Sequence, residues 1–556
     1  MKKILISIIV MCQMTTMCVA QNVTSHNFEV LKHLDIFNAM YKNLDMMFVD
    51  TLNAEKVIGT AINSMLSQMD PYTEYFPNEN AYKKGMTGAY AGIGATIHYS
   101  FSRKTVVIDE PFDDSPAMKA GLKKGDEILA VDKEKMEGKE VSYVSSHLRG
   151  EAGTTFLLKI RRNGKTMKIK ITRASIKQMQ TIPYYGMIGD DIGYVYLTSF
   201  LDGGCAKEVR RSFVELKNKG AKSFILDLRN NGGGLINEAV DIVNIFIPKG
   251  TKIVETRGKM ERLFSSYSTT LEPLDTVSPL VVMVNNSSAS ASEIVAGALQ
   301  DLDRAVIIGQ RTFGKGLVQR SVDLPFESTL KLTIGKYYIP SGRCIQELKY
   351  NRSAKDKFEK DEIPDSLTHA FKTRNGREVR DGRGIMPDIR ITPDTISHLS
   401  FYLSQIVDST DTYFDWICAY CNNHSSIASP SEFEITDEDF EDFKQKCISN
   451  GFKYDRISNE ILKQLKEAAR KEGYYDEMQA EFEALKKKLN HNISDDIDKH
   501  KDEIKTLLGA DIVTYFYQRK GAIEYSLKHD VDAKEAQKIL RDEKKYRNVL
   551  FTPAQM

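Results

Sequence analysis

The sequence carries almost no net charge, because its 77 lysine and arginine residues are matched by 76 aspartate and glutamate residues. A balance this even gives no electrostatic reason to expect binding to nucleic acid or to an acidic membrane surface. Apart from its first twenty residues, the chain also lacks an apolar run long enough to cross a bilayer. We therefore predict no nucleic-acid partner and no membrane span in the rest of the chain.

Cysteines are few and uneven in number. Two of the seven lie within residues 1–20, and the remaining five are too irregularly spaced to form a disulfide framework. Cys418 and Cys421 form a C-x-x-C motif, but no second pair or histidine follows at zinc spacing. A local disulfide and two plain thiols are both favoured over a metal site there, and we predict no metal and no cofactor.

The first twenty residues have the pattern of a secretory signal. Lys2 and Lys3 precede an apolar run over residues 4–10, and small residues end the segment near Ala20. The pattern predicts cleavage after Ala20 and an exported protein, periplasmic or associated with the cell envelope. The alternative is an uncleaved anchor, which the shortness of the apolar run disfavours.

The length and composition predict several globular units. A chain of 556 residues exceeds one ordinary hydrophobic core, so three or four units are expected. With 41% hydrophobic and 28% charged residues, the chain holds enough apolar side chains to build them.

The most informative stretch runs over residues 280–319. It predicts a buried strand, a serine-rich turn, a helix, a second buried strand, a Gly-Lys-Gly turn at 314–316 and a further strand. Ser290 stands where the helix would begin, and Lys315 is the lysine of the later turn. Ser287, Ser288 and Ser292 are rival hydroxyls in the same cluster.

Three interpretations fit this stretch. Ser290 could be a nucleophile activated by a desolvated, neutral Lys315, since a serine at its free pKa needs a neighbouring base. Ser290 to Glu293 also fits S-x-x-E, the capping box of an ordinary helix start. Residues 309–315 approach a phosphate-binding G-x-x-x-x-G-K loop, but Gly316 replaces the required serine or threonine, and the residues that follow have a strand pattern rather than a helix pattern.

The whole run NNSSASASEIVAGALQD, followed by GQRTFGKGLVQ, resembles the active-site region of the C-terminal processing peptidases, or tail-specific proteases. These are serine peptidases with a Ser/Lys pair. The resemblance implies that Ser290 is the nucleophile, Lys315 the base and Gln319 the residue that orients the lysine. It also implies unstructured protein tails with apolar C-terminal residues as substrates, and it allows an adaptor protein and a homo-oligomer.

A second turn resembles another signature of the same family. Arg229 to Gly234 is similar to the family's Arg-Asn-Asn-Pro-Gly-Gly, with Gly232 in place of the usual proline. The backbone N–H of Gly233 or Gly234 would then share an oxyanion hole with the N–H of Ala291. A plain glycine turn before a helix is the alternative.

Residues 85–175 resemble a circularly permuted bacterial PDZ domain. Gly92, Ile93, Gly94 and Ala95 are similar to its carboxylate-binding loop, in which consecutive N–H groups hold the end of a peptide. The strand edge that follows, from Ala95 to His98, could add the peptide as a further strand.

These predictions combine into one architecture, a multidomain α/β protein. Its protease core would be a mixed sheet with helices, similar to crotonase and ClpP, with an inserted PDZ domain and helical regions at both ends. The predicted boundaries are residues 1–20 for the signal, 21–84 for the N-terminal helical region, 85–175 for the PDZ domain, 176–395 for the core and 396–556 for the C-terminal helices. Residues 349–383 are interpreted as a charged surface insertion.

The predicted function is that of an exported serine endopeptidase that captures C-terminal tails. The alternative is a non-catalytic PDZ scaffold with a protease-like body.

Overall fold

A computed structural model describes residues 26–79, 81–82, 90–176, 180–347, 365–393, 396–404, 410–454, 456–489 and 492–551. The chain divides into two compact units, residues 1–75 and 76–556. The predicted secretory segment lies outside the described residues and stays a prediction. Within the described part of the chain, no helix has both the length and the apolar character that a bilayer crossing requires.

The described part of the first unit is mostly helical. Residues 26–47 form one helix, and α1 follows at Ala54–Leu66. The Asn53 side chain caps α1 by accepting a hydrogen bond from the Lys56 N–H at 2.9 Å. Helix α1 lies within the predicted N-terminal helical region and ends at Leu66, before Asp70. Asp70 instead accepts the N–H groups of Tyr72 and Thr73 in a turn.

The strands number twenty-one in the described residues. They are β1 Glu74–Phe76, β2 Tyr90–Gly92, β3 Ala95–Ser100, β4 Thr105–Pro111, β5 Glu127–Val131, β6 Glu134–Lys135, β7 Thr155–Arg162, β8 Lys165–Thr172, β9 Ala174–Ile176, β10 Tyr184–Ile188, β11 Ile192–Tyr196, β12 Ser223–Asp227, β13 Lys252–Gly258, β14 Ser265–Ser268, β15 Leu280–Val284, β16 Val306–Gly309, β17 Leu317–Asp323, β18 Thr329–Tyr338, β19 Ala370–Lys372, β20 Glu378–Arg380 and β21 Ile389–Arg390.

The helices after α1 lie beside these sheets or follow them. They are α2 Pro116–Lys119, α3 Val141–Leu148, α4 Cys205–Asn218, α5 Ile236–Val243, α6 Ala291–Asp301, α7 His398–Ser404, α8 Thr412–Asn423, α9 Asp437–Ser449, α10 Ile457–Glu472, α11 Gln479–Leu489, α12 Ile493–Lys499, α13 Lys501–Leu527, α14 Val531–Arg541 and α15 Glu543–Phe551.

The central sheet of the core has the strand order β10-β11-β12-β15-β16-β21. The pair β10–β11 is antiparallel and every other pair is parallel, so the sheet is mixed, as predicted. Strands β12 and β15 are buried along their whole length, which explains why both read as continuous apolar runs. Helices α4, α5 and α6 contribute to the apolar core on one face.

Parallel register brings the sequence motifs together. Because β12, β15 and β16 run in the same direction, their carboxyl ends meet at one edge of the sheet. The glycine turn follows β12, the serine turn follows β15 and the Gly-Lys-Gly turn follows β16. Three turns that are spread along residues 229–316 of the sequence therefore converge there.

The PDZ-like unit contains a second sheet in the order β3-β4-β5-β7-β8, with β6 paired to β5. Strand β3 is at the edge of this sheet, and α3 packs beside it. The predicted peptide-adding edge is therefore an edge strand.

The C-terminal region is helical from α7 to α15, which confirms the prediction. Much of α8, α9 and α13 forms an apolar core of its own. Helices α14 and α15 instead cover the second face of the central sheet, where the Tyr546 hydroxyl donates to the Leu280 carbonyl at 3.1 Å. The C-terminal helices thus complete the protease core.

The described part of residues 349–383 has many exposed residues, as a surface insertion would, but it is also anchored to the core. Strands β19 and β20 form a hairpin, and between them Arg377 pairs with Asp303 at 2.7 Å and with Asp388 at 2.6 Å. Arg377 is 8% exposed. The charge of Arg377 therefore does not face solvent. Its ion pairs attach this hairpin to Asp303 after α6 and to Asp388 before β21.

The cysteines in the described residues are free thiols, including Cys418 and Cys421. Burial raises the pKa of each of these two thiols to about 12, which keeps both protonated. Of the two alternatives for the C-x-x-C motif, a local disulfide or two plain thiols, the structure has two plain thiols.

Candidate active site

Ser290 occupies a strained turn between β15 and α6. Its backbone angles are φ 56° and ψ −112°, a conformation that residues other than glycine rarely adopt. Strain of this kind accumulates at functional sites, and a sharp strand-to-helix turn is how many serine hydrolases expose their nucleophile. Ser290 is partly exposed, whereas the Ala291 that follows is fully buried.

The capping interpretation of Ser290 is also realised in part. The Glu293 carboxylate reaches back and accepts the Ser290 N–H at 2.9 Å, as a capping box requires. The same carboxylate then extends beyond its own helix. It accepts the Thr312 hydroxyl at 2.5 Å, the Gly314 N–H at 2.7 Å and the Lys315 N–H at 2.8 Å.

Glu293 therefore connects the serine turn with the lysine turn through backbone groups of both. Sequence reasoning assigned it a local capping role and missed this connection. The only signal in the sequence was the acid of the S-x-x-E motif, which does not reveal partners nineteen or more residues away.

The environment of Glu293 is dry. The residue is 0% exposed, and burial raises the pKa of its carboxyl to about 7 against the lowering effect of its four hydrogen bonds. All four neighbours donate, so the ionised carboxylate satisfies them, whereas a protonated acid would bring one more hydroxyl among donors. Above pH 7 the charged form therefore holds the two turns together.

Lys315 lies in a turn that packs closely against the segment after β18. A Cβ on Gly316 would lie 2.6 Å from the Gln346 backbone nitrogen, so only glycine allows this approach. The Gly316 N–H donates to the Gln346 side-chain oxygen at 2.8 Å. Lys315 itself is partly buried. Strand β17 follows the turn directly, so the helix that a phosphate-binding loop requires is missing at this position.

The predicted oxyanion turn lies against Ser290, the predicted nucleophile. A Cβ on Gly233 would be 2.8 Å from the Ser290 Cβ and 2.8 Å from the Ala291 nitrogen. The Gly233 N–H, however, donates to the Asn231 side chain at 2.9 Å in this structure. Gly234 forms a parallel bridge with Phe200. Ala291 is the first residue of α6, where intrahelical hydrogen bonds leave the N–H available.

Asn231 is a residue that the sequence analysis did not single out. It is fully buried, and its side-chain amide also donates to the Leu197 carbonyl at 2.9 Å. Its own carbonyl accepts the Ala289 N–H and the Ser292 hydroxyl. The asparagine thereby ties the glycine turn to the serine turn.

The rival serines have structural partners. The Ser288 hydroxyl donates to the Leu228 carbonyl at 2.8 Å, and the Ser292 hydroxyl donates to the Asn231 carbonyl at 2.8 Å. Both residues are 0% exposed. Ser287 is exposed on the surface. Burial and partners leave Ser290 as the best-placed nucleophile of the four.

Gln319 lies on β17, four residues after Lys315. Its side-chain nitrogen donates to the Thr333 hydroxyl at 3.2 Å on the neighbouring strand β18. Its contact with the lysine amine stays a prediction.

The predicted carboxylate loop joins β2 and β3. Gly94 has φ 71°, and a Cβ there would lie 2.6 Å from the Ser115 Cβ, so glycine is required. The carbonyls of Ile93 and Gly94 accept N–H groups from Ala117 and Phe112. Gly92 and Ile93 are buried, and Ala95 begins the edge strand.

Comparison with known proteins places this chain in a family. Residues 191–351 match the pattern of peptidase family S41, residues 107–162 match that of the PDZ domain, and residues 403–540 match that of the probable PDZ-protease C-terminal helical domain. The carboxy-terminal-processing protease of Bartonella bacilliformis is 36% identical over 59% of this chain and 76% of its own length. The chain belongs to peptidase family S41.

Other relatives of this peptidase carry similar names. The carboxy-terminal processing protease CtpA of Bacillus subtilis is 33% identical over 56% of this chain and 66% of its own length. Among solved structures, a photosystem II D1 C-terminal processing protease aligns over 64% of this chain and 87% of its own, with 27% identity and a TM-score of 0.36. A putative S41 protease of Bacteroides fragilis aligns over 64% and 85%, with 18% identity and a TM-score of 0.40. The recognition of the family from its motifs is confirmed.

Proposed function

We propose that this peptidase is a serine endopeptidase in which Ser290 attacks the substrate carbonyl and Lys315 acts as the base. The observation that carries the proposal is the buried Glu293 carboxylate, which accepts the N–H groups of Ser290 and Lys315 at 2.9 and 2.8 Å. Two residues far apart in sequence are held by one charged group, and such positioning converts a serine and a lysine into a reactive pair.

The proposed reaction follows from the chemistry of the groups. Neutral Lys315 takes the Ser290 hydroxyl proton as the oxygen attacks, and returns a proton to the leaving amine. Water then hydrolyses the acyl-enzyme, with Lys315 again accepting a proton. Gln319 would orient the lysine amine. The chemistry needs no metal or nucleotide.

The Ala291 N–H is the best-supported oxyanion donor. The Gly233 N–H now donates to the Asn231 side-chain oxygen. It could supply a second oxyanion donor if the substrate displaced that side chain. A donor of this kind typically contributes about 3–4 kcal/mol to transition-state stabilisation.

The PDZ domain would present the substrate. An edge strand beside a helix, preceded by a glycine-flanked loop, suits the capture of an extended C-terminal tail. Ile97 on β3 and Val141 on α3 are partly exposed apolar side chains that pack against the core of this domain. An apolar last residue on the substrate is therefore preferred.

The proposed cleavage can be tested with the full chain and an unstructured protein that ends in an apolar tail. Wild type should cleave it, and Ser290→Ala should lose at least about a thousandfold in rate, as loss of a nucleophile does. Lys315→Arg should also be inactive, because a guanidinium does not deprotonate. Exposed Ser287 provides the matched control, and Ser287→Ala should stay within about twofold of wild type.

Two results would count against the proposal. Equal cleavage by wild type and Ser290→Ala would remove Ser290 from the mechanism. Tail binding without any cleavage by wild type would favour the alternative of a PDZ scaffold with an inert body. Amidation of the substrate's C-terminus should weaken capture in either case, because it removes the carboxylate that the loop would hold.

Export to the periplasm or cell envelope is part of the same proposal. Its support is the secretory pattern of residues 1–20. Fractionation of cells that express the full chain, with mass spectrometry of the N-terminus, should find a protein outside the cytoplasm that begins at residue 21. A cytoplasmic protein with residues 1–20 intact would contradict it.

A further inference from the structure

Tyr337 places a hydroxyl between the two proposed catalytic turns. The residue lies near the end of β18, and its ring is packed in the apolar core with 1% exposure. The hydroxyl donates to the Lys315 carbonyl at 2.5 Å and lies 3.2 Å from the Ser290 carbonyl. One buried side chain thus touches the backbone of both residues.

This contact complements the one made by Glu293. The carboxylate accepts the N–H groups of Ser290 and Lys315, and the phenol approaches the C=O groups of the same two residues. Each of the two peptide segments is therefore fixed on its donor side by an acid and on its acceptor side by a tyrosine.

The two contacts of Tyr337 differ in consequence. The Ser290 carbonyl also accepts the N–H groups of Glu293 and Ile294 in the first turn of α6. The position of the Ser290 backbone is therefore held by the helix as well as by Tyr337. Lys315 sits between two glycines, whose backbones have the widest conformational freedom. The tyrosine is therefore expected to matter most for the position of Lys315.

We propose that the Tyr337 hydroxyl is a positioning group that fixes the distance between Lys315 and Ser290. This inference rests on the proposed Ser/Lys mechanism. Tyr337 acts through the backbone of the lysine turn and does not itself contact the substrate. A displacement of about 1 Å between reacting groups can cost about a hundredfold in rate, so the loss of this hydroxyl has a measurable effect.

The test is Tyr337→Phe in the full chain, which removes the hydroxyl and keeps the ring. A short chromogenic peptide is the probe, with kcat, KM and the pH dependence of kcat as readouts. We expect kcat to fall by about 10- to 100-fold with KM changed less than threefold, because the substrate contacts remain. The acidic limb of the kcat profile should move to higher pH, since a displaced lysine is better solvated and holds its proton more tightly.

The neighbouring tyrosine is the matched control. Tyr338 lies next along β18, and its ring stacks with the Arg257 guanidinium at 4.7 Å from the centroid. Tyr338→Phe removes a hydroxyl from the same strand and should leave kcat within twofold and the pH profile unchanged.

A second variant keeps the test informative if Tyr337→Phe does not fold. A ring-fluorinated tyrosine at position 337 keeps the hydroxyl but ionises at lower pH, and a phenolate cannot donate. Its kcat should decline on the alkaline side at a lower pH than that of wild type. An unchanged alkaline limb would overturn the inference.

The outcomes separate this inference from the function beneath it. Wild-type kcat and an unchanged pH profile in Tyr337→Phe, together with an inactive Ser290→Ala, would overturn the role of Tyr337 and leave the Ser/Lys mechanism intact. Full activity in Ser290→Ala would overturn that mechanism and, with it, the role assigned to Tyr337.

Discussion

Two regions of the molecule are held together by different kinds of contact. Around Ser290 and Lys315, backbone groups converge on one buried carboxylate. Between the PDZ domain and the C-terminal helices, side chains carry the contact. There the Asp411 carboxylate accepts the Ser100 hydroxyl and the Ser102 N–H, both at 2.8 Å, and the His98 ring packs edge-on against Phe414 with centroids 4.5 Å apart.

The difference lies in what can alter each contact. Backbone N–H groups do not titrate, so the contacts made by the Ser290 and Lys315 N–H groups depend on the charge of one side chain, Glu293. The PDZ contact depends on several ionisable side chains, and both ring nitrogens of His98 are buried without a hydrogen-bond partner among the described residues. The two contacts therefore respond to pH through different groups, Glu293 in the first region and His98 in the second.

In the comparison of these two regions, the largest effect is expected at Glu293. Glu293→Gln replaces one acceptor oxygen by a donor, which would face either the N–H groups of Ser290 and Lys315 or the Thr312 hydroxyl and the Gly314 N–H. We expect kcat to fall by about a hundredfold or more, measured with a short peptide that does not need the PDZ domain. Asp439 closes an ordinary capping box on α9, and Asp439→Asn is the control, with kcat expected within twofold of wild type. Similar small effects at both positions would mean that Glu293 is only a cap.

The second prediction concerns the pH dependence of stability. The folded pKa of Glu293, about 7, is above its ordinary value of 4.5, so the unfolded chain ionises first as pH rises. The Glu293 contribution to the free energy of unfolding should therefore decrease between about pH 4.5 and 7 and stay constant above 7. The total decrease is about 3 kcal/mol.

Denaturant titrations of wild type and Glu293→Gln across this range would measure that decrease. The variant should lack it. Parallel curves for the two proteins would contradict the buried, raised pKa.

The third prediction tests the PDZ contact. Burial lowers the pKa of His98, opposed by Asp109 and Asp411 and aided by Lys124 and Arg103. A lowered pKa means that the undocked histidine protonates first, so the contact should weaken as pH falls below about 6.5. Hydrogen exchange of residues 95–105 should speed up severalfold from pH 7 to pH 5.5, after correction for intrinsic rates.

His98→Phe preserves the edge-on ring contact and removes the titration. The variant should show no such acceleration in the same exchange measurement. An equal acceleration in the variant would assign the effect to another group.

The smallest predicted effect is at Asp411. Asp411→Asn weakens charge-assisted hydrogen bonds to Ser100 and Ser102 and should destabilise the PDZ contact by about 1–2 kcal/mol. Cleavage of a short peptide should be unchanged, since the catalytic turns are elsewhere. Exposed Asp437 pairs with two lysines at the surface, and Asp437→Asn should have almost no effect. Loss of short-peptide cleavage in Asp411→Asn would show that the two regions are not independent.

The sequence was sufficient where the determining signal is local. Neighbouring residues are enough to recognise the apolar runs of β12 and β15 and the helix after Ser290. They are also enough to recognise the glycine-flanked loop that contains Gly94. The family motifs and the helical C-terminal region are also recognisable in the linear chain. These features depend on periodicity, turn chemistry and residue type, which act over a few residues.

The partners of buried polar groups could not be read in this way. Glu293 looked like a helix cap, the charges around Arg377 looked like a solvated insertion, and the sequence did not reveal the contacts of Asn231 and Tyr337. Each of these side chains finds its partners on segments brought close by the parallel register of the central sheet. A buried donor or acceptor must be satisfied by whatever the fold places beside it, and that neighbour is decided by the tertiary structure.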